Sequence, residues 1–175
     1  MARREGTTLN NMLVIPEFHF FWGGPLSQWH PSPFKVKDKK YATAEQWMMS
    51  RKAALFADSE IEEQIMATQD PSECKKLGRK IKNFNETIWK ERRLEVVTMG
   101  NVFKFRQNRD LKEILKNTGG KIIVEASPYD CIWGIGMNSD VVGVENPANW
   151  KGLNLLGVAL MTTRHIVIEK DRGNL

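Results

Sequence analysis

The sequence predicts an α+β fold, mainly helical, with a few short strands in one compact domain. Three observations carry this expectation. Four helix starts are marked by capping residues, Thr43, Ser59, Asp70 and Asn85, each just ahead of a helix-forming run. The strand-like runs are few and short: 15–22, the pair 34–37 and 40–42, and 121–126. The chain of 175 residues is near the common size of a single domain, and no repeat, low-complexity tract or linker divides it.

Each element has a local reason. Residues 1–11 are polar and read as a loose end. Glu17-Phe18-His19-Phe20-Phe21-Trp22 is aromatic-rich and suits a strand, broken by Gly23-Gly24-Pro25. Residues 26–33, with Ser27, Gln28, Trp29 and His30 between prolines, read as a rigid loop suited to a pocket wall. Asp38-Lys39 turns a short hairpin. Thr43 and Gln46 form a capping box for a helix over 43–57. Ser59 with Glu62 starts a second helix, and Asp70 with Pro71 and Glu73 a third, running through Arg79. Asn85 caps a long helix to about residue 107, on which Trp89, Val96, Met99, Gly100 and Phe103 are expected to share a stripe. Asn108 caps a shorter one that ends at Gly119-Gly120. Residues 127–150 are mostly loop, and a last helix runs from about 154 to 168.

Composition limits the function. With 41% hydrophobic and 27% charged residues, a packed core is expected rather than disorder. A net charge of +5 permits anionic partners without choosing among phosphorylated small molecules, nucleotides and nucleic acid. The basic residues follow no nucleic-acid motif and suit a solvated face. No stretch approaches the length of a membrane helix, and 12–15 is too short for a signal-peptide core. Cys74 and Cys131 form neither a metal spacing nor a disulfide framework, which fits a reducing cytoplasm. His19, His30 and His165 lie far apart and build no metal set; only His30, in the pocket-like loop, is kept as a possible contact. No phosphate-cradling glycine loop or nucleophile elbow is present, and no cofactor is expected.

Two local patterns carry candidate chemistry. Glu45 falls in the first turn of the helix after Thr43, where unpaired N–H groups and the helix dipole favour an ionised carboxylate. That glutamate is either an ordinary first-turn acid or a fixed base. The long loop after 126 holds Asp130 and Trp133 among Gly134 and Gly136, either an acid beside a ring platform or a turn aspartate with a core tryptophan. Arg79 and Lys104 are candidates to neutralise a substrate phosphate.

An ordered set of patterns then lines up. It comprises Phe21-Trp22-Gly23-Gly24-Pro25-Leu26-Ser27-Gln28-Trp29, Ala44-Glu45-Gln46-Trp47-Met48, Leu77-Gly78-Arg79, Trp89, and Lys104-Phe105 with Gln107-Asn108. It continues with Val124-Glu125-Ala126, 130–136, and Gly152-Leu153-Asn154-Leu155-Leu156-Gly157 with Arg164. Together these resemble the NADAR superfamily (YbiA-like, DUF1768-type). The similarity spans about residues 16–169, leaving 1–15 as an N-terminal extension and 170–175 as a tail.

The resemblance implies a compact YbiA-like fold and an N-glycosidase. Its substrate would be a phosphorylated N-ribosyl compound such as an early riboflavin intermediate. The alternatives are hydrolysis of ADP-ribose from guanine in nucleic acid or from NAD-derived compounds, and a non-catalytic module that binds NAD or ADP-ribose. The family's acidic helix residue falls on Glu45, its aromatic helix residue on Trp89, and its acidic-aromatic loop on Asp130 and Trp133. Breaking a ribosyl C–N bond builds positive charge on the sugar, which a fixed carboxylate stabilises. Glu45 would stabilise that cation and activate water. Asp130 would orient a sugar hydroxyl or protonate the leaving nitrogen. Trp89 and Trp133 would stack the rings, Lys52, Arg79 and Lys104 would take the phosphate, and Gly134 and Asn154 are further substrate contacts. The chain departs from the commoner wording at Gln46-Trp47 and at Gln28, which are expected to touch the pocket lining. Nucleic acid enters only as a modified substrate, and oligomeric state stays open.

Overall fold

The computed structural model describes residues 16–172, so the N-terminal extension and the end of the tail lie outside the described residues. Ten regular elements follow in order: β1 (Phe18–Phe21), β2 (Phe34–Val36), β3 (Lys39–Tyr41), α1 (Ala44–Leu55), α2 (Ser59–Ala67), α3 (Pro71–Gly78), α4 (Glu86–Gln107), α5 (Arg109–Asn117), β4 (Ile122–Glu125) and α6 (Leu155–Arg172). Helices dominate, and the expected α+β class is what the chain adopts.

The strands form two separate pairs. β1 lies parallel to β4, with Phe18 opposite Ile122 and Phe21 opposite Glu125. β2 and β3 make the antiparallel hairpin expected around Asp38-Lys39. A parallel pair needs a long crossover, and here the crossover is nearly the whole helical body. Side chains on β4 alternate in direction, and they feed two hydrophobic clusters. Ile123 joins the main cluster with α1, α3, α4 and α6. Val124 joins a smaller one with Ala126, Ile135 and Val144.

The caps work as expected in most places. Thr43 Oγ1 accepts from the Gln46 N–H at 3.1 Å, Asp70 Oδ1 from Ser72 at 2.9 Å and Asn85 Oδ1 from Ile88 at 3.1 Å. Three details differ. α2 is capped by Asp58, whose Oδ1 accepts from Ile61, and Ser59 is already helical. The Gln46 side chain returns to the Ala42 N–H at 2.7 Å, one residue ahead of the cap. Asn108 spends its side-chain amide on the carbonyls of Pro33 and Lys104, so it ties α4 to the hairpin and does not cap α5 with its side chain.

The expected stripe on α4 divides. Trp89 enters the main cluster. Val96 and Phe103 pack on Phe34, Tyr41 and Trp47 in a third cluster. Met99 is exposed. Over 22 residues the helix passes from one neighbour to another, so one helical face meets different partners along its length.

Candidate active site

The carboxyl ends of β1 and β4 open into a cavity of about 520 Å³. Ligands commonly bind beyond the carboxyl ends of parallel strands. Trp22 and Gly23 follow β1 into its wall, and Glu125, Ser127, Tyr129, Asp130 and Trp133 come from the end of β4 and the loop after it. Ser27, Gln28 and Trp29 close one side, Glu45, Met48 and Met49 of α1 form the floor, and Lys75 of α3 reaches in. A larger groove of about 710 Å³ runs between the β2–β3 hairpin, α1 and α4. Its floor is Trp47, Val96 and Phe103, and no buried carboxylate lines it. The buried carboxyl Glu45 lines the smaller cleft, which makes that cleft the candidate site.

The backbone of Glu45 is tied to the neighbouring loop. Its backbone N–H, one of the orphan donors of the first helical turn, donates to the Gln28 carbonyl at 3.0 Å. That bond ties α1 to the loop after β1. Glu45 is 3% exposed and lines the cleft, and its Oε1 has no hydrogen-bond partner. Burial raises its pKa from the ordinary 4.5 to about 7. The Lys75 ammonium, the Trp29 indole and, more weakly, Lys52 favour the ionised form, while Asp130 opposes it. The expectation of a firmly ionised glutamate is thus corrected: desolvation outweighs the helix terminus, and Glu45 is poised near neutrality.

Asp130 makes a tight turn with its own chain. Its Oδ1 accepts from the N–H groups of Ile132 at 2.9 Å and Trp133 at 2.7 Å. The carboxylate is thereby fixed in place at the cleft. Trp133, half-buried, packs its ring against the main cluster while lining the same wall. Glu45, Asp130 and Trp133 are therefore brought together, as the sequence suggested.

Other expected residues lie elsewhere. Trp89 is in the core, and Lys52 rests on it, with Nζ 5.8 Å from its ring and 4.3 Å from that of Phe84. Lys52 Nζ donates to the Gly78 carbonyl at 2.8 Å, and burial lowers its pKa. Arg79 is exposed at the end of α3. Lys104 is fully buried behind the cleft wall, donates to the Ser27 carbonyl at 2.8 Å, and is pushed down to about 7 by desolvation. Gly134 is approached by the protein's own backbone: a Cβ there would meet the Glu125 carbonyl at 2.8 Å and that of Asp130 at 3.0 Å. Asn154 uses both ends of its side chain on β4, accepting from the Glu125 N–H at 3.0 Å and donating to the Ile123 carbonyl at 2.9 Å. His30 does not line the cleft.

The departures at Gln46 and Trp47 also fall off the cleft, which corrects the expectation that they touch its lining. Gln46 donates to the carbonyls of Ile65 and Thr68. Trp47 donates to the Val96 carbonyl at 2.8 Å inside the aromatic cluster of Phe34, Tyr41 and Phe103. Gln28 does line the cleft; its Oε1 accepts from Asn101 at 2.9 Å and its Nε2 has no partner.

Trp29, on the loop read as a pocket wall, does line the cleft, whereas sequence reasoning missed Lys75, Trp22, Tyr129 and above all Glu125 as cleft groups. Glu125 ends β4 on the same side as Ile123. Its Oε2 is buried without a partner, and its pKa is raised to about 7 by burial, then by Asp130 and Glu45, with Lys75 opposing. Only its place within the Val124-Glu125-Ala126 pattern hinted at it. At the rim, Trp22 is 60% and Tyr129 86% exposed, with ring centroids 5.9 Å apart. Lys75 Nζ stands 5.8 Å from the Trp29 ring. Among the described residues, no group of three or more His, Cys, Asp and Glu side chains is placed to hold a metal ion. Nor is any helix among them long and apolar enough to cross a membrane.

Comparison with known proteins agrees with this architecture. The NADAR domain profile matches residues 20–167. The chain is 46% identical over 144 residues to N-glycosidase R617 of Acanthamoeba polyphaga mimivirus, covering 79% of this chain and 84% of that protein. It is 26% identical over 168 residues to riboflavin biosynthesis protein PYRR, chloroplastic, of Zea mays, covering 88% of this chain and 25% of that protein. The solved structure of Escherichia coli YbiA superimposes with a TM-score of 0.72 at 25% identity, covering 90% of this chain and 89% of the other. With a matching profile across most of its length, a relative of this similarity and the same fold, the chain belongs to the NADAR domain family and is an enzyme of its N-glycosidase class.

Proposed function

We propose that the chain hydrolyses the bond between ribose C1 and a nitrogen in a phosphorylated N-ribosyl compound of the riboflavin-intermediate type. The observation that carries this is the Glu45 carboxyl: buried, unpartnered at Oε1, and facing a cavity that also holds a fixed aspartate and a ring. Cleavage of the C–N bond develops positive charge on the ribose. Glu45, when ionised, stabilises that charge in a site of low polarity and takes a proton from the attacking water. Asp130 orients a sugar hydroxyl. Trp133 and Trp29 hold the flat rings. Lys75 pairs with the phosphate, with Lys52 adding positive field from behind Glu45.

A second reading has one observation in its favour. The exposed Trp22–Tyr129 pair could stack a second ring beyond the cleft, as an ADP-ribosyl substrate would offer. Release of base from an aminopyrimidine ribosylamine 5-phosphate, NAD, ADP-ribose and ADP-ribosylated DNA, measured side by side, separates the two. Turnover confined to the ribosylamine supports the first reading; turnover confined to ADP-ribosyl compounds supports the second. Under the first, Lys75→Ala raises KM for the 5-phosphate substrate and leaves KM for its dephosphorylated form unchanged. Equal effects on both would remove Lys75 from the phosphate.

A further inference from the structure

We propose that Glu125 is the catalytic acid of the cleft, protonating the leaving nitrogen while Glu45, as carboxylate, receives a proton from the attacking water. This role rests on the N-glycosidase reading. It starts from two buried carboxyl oxygens, Glu45 Oε1 and Glu125 Oε2, that line one cavity and have no hydrogen-bond partner. A buried polar atom without a partner costs stability. Two of them on facing elements of one cleft are groups that substrate and water would satisfy.

The surroundings divide the labour between the two. Glu45 stands in the first turn of α1, and Lys75, Trp29 and Lys52 all favour its anion. Glu125 stands at the end of β4 beside Asp130, whose Oδ1 is fixed as an acceptor by two backbone N–H groups. Only Lys75 offsets the negative charge of Asp130 and Glu45 around it. Elsewhere, β1 carries His19 opposite Ile123, and on α6 Arg164 is turned to Thr118 and the Lys121 carbonyl. Tyr129 lines the cleft on the same loop as Asp130. Burial raises both carboxyls to about 7, and it is the donors and cations gathered around Glu45, fewer around Glu125, that assign the base to the first and the acid to the second.

The backbone of Glu125 is held on both sides. Its N–H donates to Asn154 Oδ1 at 3.0 Å and its carbonyl accepts from Ile135 at 2.9 Å. The side chain therefore projects from a rigid element. In the reaction, the C1–N bond breaks with its electron pair passing to nitrogen. The carboxyl proton of Glu125 is transferred to that nitrogen. The water oxygen bonds to C1, and its proton passes to Glu45. One water is consumed, Glu45 ends protonated and Glu125 ionised, and transfer of one proton from Glu45 to Glu125 restores the pair.

The test uses Glu125→Gln, Glu125→Asp and Glu45→Gln in the full chain, with base release from an aminopyrimidine ribosylamine 5-phosphate followed from about pH 5 to 9. Glu125→Gln is expected to lower kcat by roughly 10²–10⁴ with KM near parental, and to abolish the descending alkaline limb of the pH profile. Glu45→Gln abolishes the ascending limb instead. Glu125→Asp retains the alkaline limb at reduced kcat, which separates loss of the acid from loss of the fold. Carboxyl-labelled glutamate followed by 13C NMR gives a readout without turnover: two carboxyls titrate well above the ordinary range, and replacing Glu45 lowers that of Glu125. Parental kcat in Glu125→Gln, or an alkaline limb that survives in it, overturns the proposal. Parental protein that releases no base from any N-ribosyl compound overturns the reaction and the acid role together. The NMR titration then shows whether the cleft still holds the coupled pair.

Discussion

The Asn154 side chain accepts the Glu125 N–H at 3.0 Å and donates to the Ile123 carbonyl at 2.9 Å, so the residue before α6 completes the edge of β4. It does so from a left-handed backbone, with φ at 51°, a conformation that asparagine tolerates better than most residues. The clamp holds Glu125 at the mouth of the cleft and engages both ends of the Asn154 amide. Asn154→Ala removes both bonds and leaves two backbone groups unpaired. It is expected to cost about 1–3 kcal/mol in urea denaturation and to lower kcat more than it raises KM. Unchanged stability with raised KM would return Asn154 to the substrate.

Glu45 gives the fold a pH dependence of known sign. It titrates near 4.5 in the unfolded chain and near 7 in the fold, so the folded state binds its proton more tightly. Its contribution to stability is complete below about pH 4.5 and is lost as pH rises through 7, on the order of 3 kcal/mol. Glu125 acts in the same direction over the same interval. Denaturation midpoints taken between about pH 4.5 and 8 should therefore decline less steeply in Glu45→Gln than in the parent. The variant should be the more stable protein at the alkaline end while lacking activity. A parallel decline in both proteins would place the desolvated group elsewhere.

Gly100 makes room for Trp47. A Cβ there would overlap Trp47 Cδ1 and lie 2.8 Å from its Nε1, the nitrogen that donates to the Val96 carbonyl. Gly100→Ala is expected to destabilise by about 1–3 kcal/mol through displacement of the indole. Activity per folded molecule should be unchanged, because neither residue lines the cleft. Calorimetry with active-site titration checks both parts. A stable variant with altered turnover would mean that the α1–α4 contact positions Glu45.

Local patterns along the chain were enough for most of the elements, and the ordered family resemblance was needed for the candidate site residues. Helix starts were legible because Thr43, Asp70 and Asn85 use short-range bonds to N–H groups two or three residues on. The first-turn acid Glu45 and the glycine-flanked loop of Asp130 and Trp133 were visible as local patterns that fit a structural role equally well, and the ordered family resemblance is what singled them out. What faced them was not visible. Nothing near Glu125 or Lys75 in the chain shows that one ends a parallel strand and the other reaches in from α3. Nor could Lys104 be told from a phosphate ligand, since its burial behind Ser27 is set by a contact 77 residues away.

The charge of the site was set by packing. Local sequence placed Glu45 where a helix terminus favours the anion, an effect of a few tenths to about one kcal/mol. Packing of α1 beneath the loop after β1 and beside Glu125 and Asp130 removed its water, and this desolvation outweighs the pull of the helix end. Spacing along a chain fixes which groups are near a helix end. How many atoms surround a carboxyl, and which other carboxyls share its cavity, exist only once the distant segments have packed.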